Sequence, residues 1–540
     1  MNILEGNIVD VVNRRIFKGK IVFDNTIKEV IPCLSDSELF IMPGFVDSHI
    51  HIESSMLSPQ RFAEAALKFG VLSVIADPHE ISNVCGIKGF DFMLNDASLS
   101  PLKFYFAVPS CVPSVNFDKS GAEFGPDVVK SLLSRGNVVS LGEMMNFVGV
   151  TVNDPDVIAK INYSLQVGKP VDGHAPGLDF ETSEKYFSAG ISTDHECGTI
   201  EEAEFKAKSG VFVQIRKGSA ADNQAELLPL FRSYPKQIML CSDDLHPDDM
   251  QKGYMAKRIS DIISQGYDLF DVLTASSYNP VKHYKLDMGL LQPGDKADFI
   301  VVDNLRQFNV KDVYLNGDKF VSDGNNLFSV SSSSTINYFN SRKISLKDIS
   351  LSASSDKIKV IKANDGSLLT DSFVTKAVIS DNCVISDPEN DVLKIVVLSR
   401  YYKTIKPAVG FISGFNLKHG AVGASICHDS HNIICVGVDD QSIVNTINKI
   451  VENRGGLAIS VGNITFDIPL EIAGLMSVVS CETVSEKYLK LCAIAKSLGC
   501  KFNSPFMTLS FMALPVIPNL KIVAGGLFDV SAFKFTDVFA

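Results

Sequence analysis

Two histidines one residue apart close an apolar run near the start of the chain. His49 and His51 follow Ile41–Val46, which has the composition of a buried strand. In an extended strand, residues i and i+2 point to the same side, so the two imidazoles can bind one metal ion. Because His-x-His pairs also occur on ordinary sheet surfaces, the pair alone leaves the interpretation open.

Four further ligand-type residues follow other apolar runs: Glu143, His174, His195 and Asp243. Each has an ordinary explanation on its own. A carboxylate at a strand end commonly caps a helix or faces solvent, and a lone histidine is commonly a hydrogen-bonded structural residue. Together with the His-x-His pair, however, they lie at the same ends of five predicted strands, which favours a metal site.

The number of imidazoles predicts two metal ions. One tetrahedral ion does not need four imidazoles when water must keep a position. Two neighbouring ions need a bridging anion, and Glu143 is the natural candidate. Asp243 supplies a further carboxylate that can bind a metal and also take a proton from bound water. Nitrogen and oxygen ligands without thiolate are typical of manganese, iron or zinc sites.

The elements that position these residues alternate as expected for a parallel sheet with helical crossovers. Between residues 43 and about 287, short apolar runs alternate with longer amphipathic stretches. Nearly every run ends in polar, metal-ligating or acid/base residues, as at the active-site face of a (β/α)8 barrel. A doubly wound open sheet would need a nucleotide site, and neither GxGxxG nor a Walker loop is present. The predicted strands are Ile41–Val46, Val71–Ala76, Phe104–Val108, Val138–Leu141, Pro170–Val171, Gly190–Ser192, Val211–Ile215 and Ile238–Cys241.

The rest of the chain predicts two further units around this α/β TIM-like barrel of residues 43–287. Residues 1–42 and 288–328 are expected to form a small composite β-sandwich domain from both flanks of the barrel. A serine run lies in residues 326–345, which have the composition of a linker. Residues 346–540 are expected to form a C-terminal α+β domain, with one helix over Glu486–Ser497.

Composition and charge exclude several classes of protein. The net charge of −12 argues against a nucleic-acid-binding protein. No apolar run reaches the length of a membrane span, and the N-terminus lacks the pattern of a signal peptide. The eleven scattered cysteines form no CxxC pair and indicate reduced thiols. A cytoplasmic protein that binds neither nucleic acid nor membrane is therefore expected.

Longer motifs surround the proposed ligands, and through them the chain resembles the amidohydrolase superfamily of metal-dependent barrel hydrolases. Within that superfamily it is most similar to the adenine deaminase branch, over essentially its whole length. The motifs are MPGFVDSHIHIESSM (42–56), ADPHEISNV (76–84), LGEMMNF (141–147), DGHAPG (172–177), TDHE (193–196), CSDDLHPDD (241–249), NP (279–280), HDSHNI (428–433), EIAGLMS (471–477) and PFMTLSF (505–511).

Glu143 separates this branch from related ones. Many superfamily members carry a carbamylated lysine as the bridge on the fourth strand, whereas this sequence has Glu143, which disfavours the hydantoinase and dihydroorotase branches. The zinc deaminases of nucleosides and nucleic acids use H-x-E followed by P-C-x-x-C. His51-Ile52-Glu53 matches only the first half of that signature, so this class is excluded.

The resemblance implies hydrolysis of adenine to hypoxanthine and ammonia with two divalent metals. Manganese is the first expectation, with iron and zinc as alternatives. The metals would lower the pKa of a bridging water, and the resulting hydroxide would attack C6 of the purine. Asp243 would take the proton and pass it to the leaving amino group. A second acid would protonate a ring nitrogen, and the sequence leaves both Glu80 and Glu196 as candidates.

Further polar residues are expected to bind substrate or to support the ligands. Arg216 either contacts substrate or pairs with a carboxylate, and Asp47 lies on the same side of its strand as His49. The segment His428–His431 either closes over the barrel mouth, from this subunit or a neighbouring one, or holds another metal, or forms a polar turn. The full set comprises Asp47, His79, Arg216, Asp244, His428 and His431.

Two rival functions differ from adenine hydrolysis. One is another amidohydrolase reaction, on a cyclic amide or an aminated heterocycle. The other is a non-catalytic scaffold, which is disfavoured because such proteins usually lose ligands and all six are present here. A homo-oligomer, a dimer or larger, is expected.

Overall fold

The centre of the molecule is a closed barrel of eight parallel strands, as the sequence predicts. The computed structural model describes residues 1–540. The first five strands pair in order, the last three pair in order, and a bridge from Val171 to Ile191 joins the two groups. Asp243–Asp244, just beyond the eighth strand, pairs with the first strand and closes the ring. The strands are Phe45–His51, Val71–Ala76, Lys103–Val108, Val138–Met144, Val171–Gly173, Thr193–Asp194, Phe212–Arg216 and Ile238–Cys241.

Helices cover the outside of the barrel, so its strands are buried on both faces. Val71–Ala76, for example, is buried at every position, as expected for a parallel strand between helices and a packed interior. The α-helices of this region are Pro59–Ala66, His79–Cys85, Ile87–Ala97, Pro126–Leu133, Phe147–Thr151, Pro155–Gln166, Phe180–Ser188, Ile200–Lys208, Gln224–Leu227, Leu230–Ser233, Pro247–Met250, Tyr254–Ser264, Leu269–Leu273 and Asn279–His283.

Two predicted strands are misplaced, whereas the others differ from the observed strands at most at their ends. The run Ile41–Val46 spans parts of two strands, because Pro43, which has no N–H to donate, separates Phe40–Met42 of the flanking sheet from the first barrel strand. The sixth strand begins at Thr193 rather than at Gly190. Gly190 has a φ of +101° and therefore belongs to the turn that leaves the preceding helix.

Both flanks of the barrel contribute to one eight-stranded sheet that folds over on itself. The rings of Phe23 and Phe299 lie 5.1 Å apart, although their strands are three positions apart in the sheet. A flat sheet would separate them by about 14 Å, so its two halves face each other as in a sandwich. The strands, in sheet order, are Asn325–Asn326, Asp318–Ser322, Val310–Leu315, Phe299–Val302, Phe40–Met42, Asn2–Asp10, Arg15–Phe23 and Ile27–Pro32.

The C-terminal region has a second eight-stranded sheet, mostly antiparallel, with helices Asp440–Asn453, Cys481–Ser497 and Pro505–Ser510. Strands Leu520–Val523, Gly526–Asp529 and Lys534–Phe535 form a small separate sheet, and Val378–Ser380 pairs with Cys383–Ile385. The large sheet has the order Asp371–Lys376, Lys357–Lys362, Ala408–Ser413, Leu393–Leu398, Ile433–Gly437, Ala421–Ala424, Gly456–Val461 and Ile464–Pro469.

The predicted helix over Glu486–Ser497 begins five residues earlier, at Cys481. The side chain of Ser480 accepts a hydrogen bond from the backbone N–H of Thr483 and so caps the helix, a signal that the sequence carried. The exact limits of the three domains stay a prediction.

The C-terminal region packs directly on the barrel. Buried apolar side chains of both form one continuous core. Ser477 and Leu57 form a backbone bridge, and the rings of Tyr488 and His246 lie 4.6 Å apart. No helix in the structure has the length and apolar character needed to cross a membrane.

Candidate metal centre and active site

Six metal-ligating side chains converge at the carboxyl-end mouth of the barrel. Each is at most 6% exposed. The structure thus brings together, from five strands, all six residues predicted as ligands. His49 and His51 lie at the end of the first strand, and Glu143 lies near the end of the fourth. His174 and His195 directly follow the fifth and sixth strands, and Asp243 begins the short segment beyond the eighth.

The two carboxylate oxygens of Glu143 face different histidines. Oε1 lies 3.4 Å from Nε2 of His51. Oε2 lies 2.8 Å from Nδ1 of His174 and 3.2 Å from Nε2 of His195. A carboxylate with this arrangement can be shared by two cations, one on each side.

Asp243 lies beside the first-strand histidines. Its Oδ1 is 3.0 Å from Nε2 of His51 and 3.6 Å from Nε2 of His49. The residue has a φ of +60°, a conformation that aspartate adopts more readily than most residues. Asp243 also lies close enough to His49 and His195 to share one cation with them.

Unpartnered nitrogens show that this cluster fits a cation. Nε2 of His49, His174 and His195 is buried and has no hydrogen-bond partner. Buried polar atoms are almost always paired, so three such nitrogens in one cluster point to a ligand between them. Four imidazoles and two carboxylates are a donor set for divalent first-row transition metals.

The electrostatics of the cluster agree with this assignment. Burial opposes protonation of His195, but Glu143 and Glu196 hold its pKa well above the ordinary value. Burial likewise opposes ionisation of Glu143, but His174 and His195 hold its pKa well below the ordinary value. A metal ion that binds here replaces the protons on the imidazoles.

Asp77 supports two of the ligands, a role that the sequence analysis did not identify. Its carbonyl oxygen lies 2.9 Å from Nδ1 of His51 and can only accept a hydrogen bond, so Nδ1 carries the proton and Nε2 faces the cluster. Its carboxylate accepts a hydrogen bond of 3.0 Å from the backbone N–H of Glu143. A Cβ on Gly142 would meet this carboxylate at 2.1 Å, so glycine is required there.

Asp47 supports the eighth strand rather than a histidine ring. Its Oδ1 accepts a hydrogen bond of 2.9 Å from the backbone N–H of Ser242. Its Oδ2 accepts one of 2.5 Å from the hydroxyl of Tyr254. Because Ser242 precedes Asp243, Asp47 positions the ligand on the neighbouring strand.

Arg216 pairs with carboxylates, which is one of the two roles that the sequence analysis left open for it. Its guanidinium donates to both oxygens of Glu196, at 2.5 and 3.0 Å, and to Oδ2 of Asp243 at 2.7 Å. Despite burial, the charge of Arg216 and those of His174 and His195 hold the pKa of Glu196 far below its ordinary value. Glu196 is therefore an anion in this site.

Glu80 has the opposite environment. Burial, together with the charges of Glu53 and Asp244, raises its pKa well above the ordinary value. The hydroxyl of Ser54 lies 3.0 Å from Oε1 of Glu80 and 2.5 Å from Oδ1 of Asp244. This environment favours the protonated form of Glu80.

His79 and His428 lie at the outer edge of the cluster. Nδ1 of His79 is 3.5 Å from Oε1 of Glu143, and its Nε2 is 3.7 Å from Oδ1 of Asp429. Nδ1 of His428 is 3.5 Å from Oε1 of Glu80. The segment around His428 thus closes over the barrel mouth within the same chain.

His431 is buried behind this segment. Its Nδ1 accepts a hydrogen bond of 3.3 Å from the backbone N–H of Cys427, so its buried Nε2 is the nitrogen without a partner. Glu80, His428 and His431 lie close enough together to hold a cation, so the further metal site remains one of the alternatives for this segment. Burial and the nearby charge of His428 hold the pKa of His431 well below its ordinary value.

A cavity with about 330 Å³ of empty space, part of it open to solvent, lies between the cluster and the C-terminal region. One side is polar and formed by the predicted site residues. Apart from Met145 of the barrel, the apolar lining residues come from the C-terminal region. Sequence reasoning missed these apolar residues, although Phe511 lies in one of the quoted motifs. They are Leu368, Phe511, Leu514 and Ile517.

Comparisons with known proteins agree with this architecture. Residues 40–320 match the model of the amidohydrolase family, and residues 367–534 match that of the adenine deaminase C-terminal domain. A protein of Methanosarcina mazei described as adenine deaminase is 46% identical, with 99% of both chains covered. Proteins of the same description from Salinibacter ruber and Borreliella burgdorferi are 42% and 40% identical; they cover 99% of this chain and 98% and 99% of their own lengths. The chain therefore belongs to the adenine deaminase family, within the amidohydrolase superfamily.

Proposed function

We propose that this protein hydrolyses adenine to hypoxanthine and ammonia at the barrel mouth. The observation that carries the proposal is the placement of Glu143, whose two oxygens face separate groups of histidines beside an open cavity. The full-length similarity to adenine deaminases supports adenine as the substrate.

Family membership implies a divalent metal cofactor, and we propose two ions with Glu143 between them. His49 and His51 would hold one ion, and His174 and His195 the other, with Asp243 beside the first pair. When bound, such ions act as Lewis acids and make water nucleophilic near neutral pH. Manganese is the proposed metal, and iron and zinc suit the same donors.

Asp243 is proposed to move the proton of the attacking water to the leaving amino group. Burial disfavours its ionised form, but Arg216 and the adjoining histidines hold its pKa well below the ordinary value, so it begins the reaction as a base. Arg216 occupies only Oδ2, at 2.7 Å, so Oδ1 remains directed toward the histidines.

Glu80 is proposed to donate the proton to the purine ring. The environment of Glu80 favours its protonated form, whereas Arg216 keeps Glu196 ionised. Glu80→Gln should lower kcat by about 10²- to 10⁴-fold with both metals retained. Glu196→Gln serves as the comparison, and an equal loss of kcat in both variants would contradict this division of roles.

The experiment that tests the function uses the full chain, expressed with and without manganese. Bound metals are counted, and adenine loss is followed by its ultraviolet absorbance. Two bound metals with adenine turnover support the proposal. Two bound metals without adenine turnover would leave the alternative, another cyclic amide or aminated heterocycle, which a small substrate panel would identify.

We also propose that the protein is cytoplasmic and forms a homo-oligomer. The eleven free cysteines support a reducing compartment. Exposed apolar side chains on and beside the edge strand Asp371–Lys376, including Val374 and Ile379, support association. Sedimentation of the full chain would test the assembly, and a monomer at micromolar concentration would refute it.

A further inference from the structure

Four of the five apolar residues that line the active-site cavity come from the C-terminal region, and the fifth, Met145, belongs to the barrel. Leu368, Phe511, Leu514 and Ile517 line the side that faces the metal ligands. All of these residues except Leu368 are less than 9% exposed. A small planar heteroaromatic base bound at the ligands would therefore lie between a polar barrel face and an apolar C-terminal face.

Two residues that line the cavity, His428 and Phe511, form a flat stack. The rings of His428 and Phe511 lie 4.3 Å apart with an angle of 11° between their planes, and both residues line the cavity. Parallel aromatic faces bind planar bases by stacking, an interaction that contributes about 1–3 kcal/mol per base in other proteins. Because each ring already covers one face of the other, a planar base can stack only on an outer face of this pair.

A buried lysine forms hydrogen bonds with two residues of this wall. Lys521 is fully buried, and its Nζ donates to the carbonyl oxygens of Leu368, at 2.8 Å, and Phe511, at 3.1 Å. No carboxylate forms an ion pair with Lys521, unlike Lys394, the other buried lysine of this region, which pairs with Asp440. Burying an amine without a counter-charge is costly, so its two bonds to cavity-lining residues call for a functional explanation.

We propose that the C-terminal region supplies the purine-binding surface of the active site, with the His428–Phe511 stack contacting the base. Lys521 is a positioning residue that holds Leu368 and Phe511 in place. The inference rests on the proposed function, because it names how the same site binds its substrate. It assigns to this region a role in substrate binding rather than only in stabilising the barrel.

The test compares two variants of the metal-loaded full chain with matched controls. Phe511→Leu keeps an apolar side chain of smaller size but removes the aromatic face, and Lys521→Met removes both donated hydrogen bonds. Both should raise KM for adenine on the order of 10-fold, with kcat within about 3-fold of wild type and two metals still bound. Phe528→Leu, in the aromatic cluster with Phe117, and Lys394→Met are controls outside the cavity and should leave KM unchanged.

Calorimetric binding of hypoxanthine and thermal unfolding separate the possible outcomes. Weaker hypoxanthine binding in the two variants, at a metal content equal to that of wild type, supports the surface. Wild-type turnover with unchanged KM in both variants would overturn this inference alone. Losses in the variants that follow only a lower Tm or lower metal content would also overturn it. A metal-loaded wild type that neither binds nor hydrolyses adenine would overturn the proposed function itself.

Discussion

Arg216 donates a hydrogen bond of 2.7 Å to Oδ2 of Asp243, so one oxygen of this carboxylate is occupied before any substrate binds. The other oxygen lies 3.0 Å from Nε2 of His51. Because the same guanidinium also binds both oxygens of Glu196, three charged groups are held in one geometry. The arrangement leaves Oδ1 as the oxygen of Asp243 that faces the histidines.

Replacing Arg216 by lysine should therefore impair catalysis more than metal binding. Lysine keeps the charge but cannot bind Glu196 and Asp243 with a planar fork. We expect kcat to fall by about 10- to 100-fold with metal content near wild type, measured by steady-state kinetics and metal analysis. Arg232→Lys, at an exposed position, is the control. A kcat equal to wild type would show that the fork is dispensable.

Replacing Glu143 by glutamine should remove metal and activity together. The amide has one carbonyl oxygen in place of two anionic oxygens, so it cannot serve two cations in the same way. Metal analysis should find fewer than two ions per chain, and adenine turnover should fall to background. Glu123→Gln, at an exposed position, should behave as wild type. Full activity in Glu143→Gln would refute the bridging role.

Metal binding should release protons and strengthen as pH rises. Burial opposes protonation of His51 and His195, yet nearby carboxylates hold the pKa of both well above the ordinary value, so the metal-free rings carry protons near neutral pH. An imidazole must lose that proton to bind a metal, and lower pH therefore opposes binding. Titration calorimetry of the apoprotein in buffers of different ionisation enthalpy measures the protons released. Identical heats in all buffers would contradict the prediction.

The sequence predicted the barrel and the ligand cluster from the same signal. Parallel strands end at one face of a barrel, so the residues after each apolar run had to meet. His174 and Asp243 illustrate this, because they are 69 positions apart in the chain and lie in one cluster. The prediction of Ile41–Val46 as a single strand was wrong, because Pro43 divides this run between two sheets.

Other features depend on which groups become neighbours, and the pattern of the sequence does not show that. Glu80 and Glu196 each follow a strand end, and their neighbours in the structure distinguish them: Arg216 lies beside Glu196, whereas Glu53 and Asp244 lie near Glu80. The cavity wall was even less accessible to prediction from the sequence. Phe511 lies 268 positions after Asp243, the last of the barrel ligands in sequence, and its position at the barrel mouth depends on how the two regions pack.

Lys521 leads to a prediction about stability. Burial lowers its pKa from 10.5 to about 7 in the folded protein, whereas the unfolded chain restores the ordinary value. Between pH 7 and about 10, the unfolded state therefore binds a proton that the folded state does not. By linkage, this group's contribution to the free energy of unfolding rises with pH in that window, by up to about 1.4 kcal/mol per pH unit.

Below pH 7 both states carry the proton, so the full penalty of burying the charge is present and no longer changes with pH. Lys521→Met has no such group, and the comparison between wild type and this variant isolates the effect from all other titrations. We expect the Tm of wild type to rise relative to that of Lys521→Met between pH 7 and pH 9, measured by scanning calorimetry at matched metal content. A constant difference across this range would mean that Lys521 remains charged in the folded protein, with its two carbonyl acceptors stabilising the ammonium despite burial.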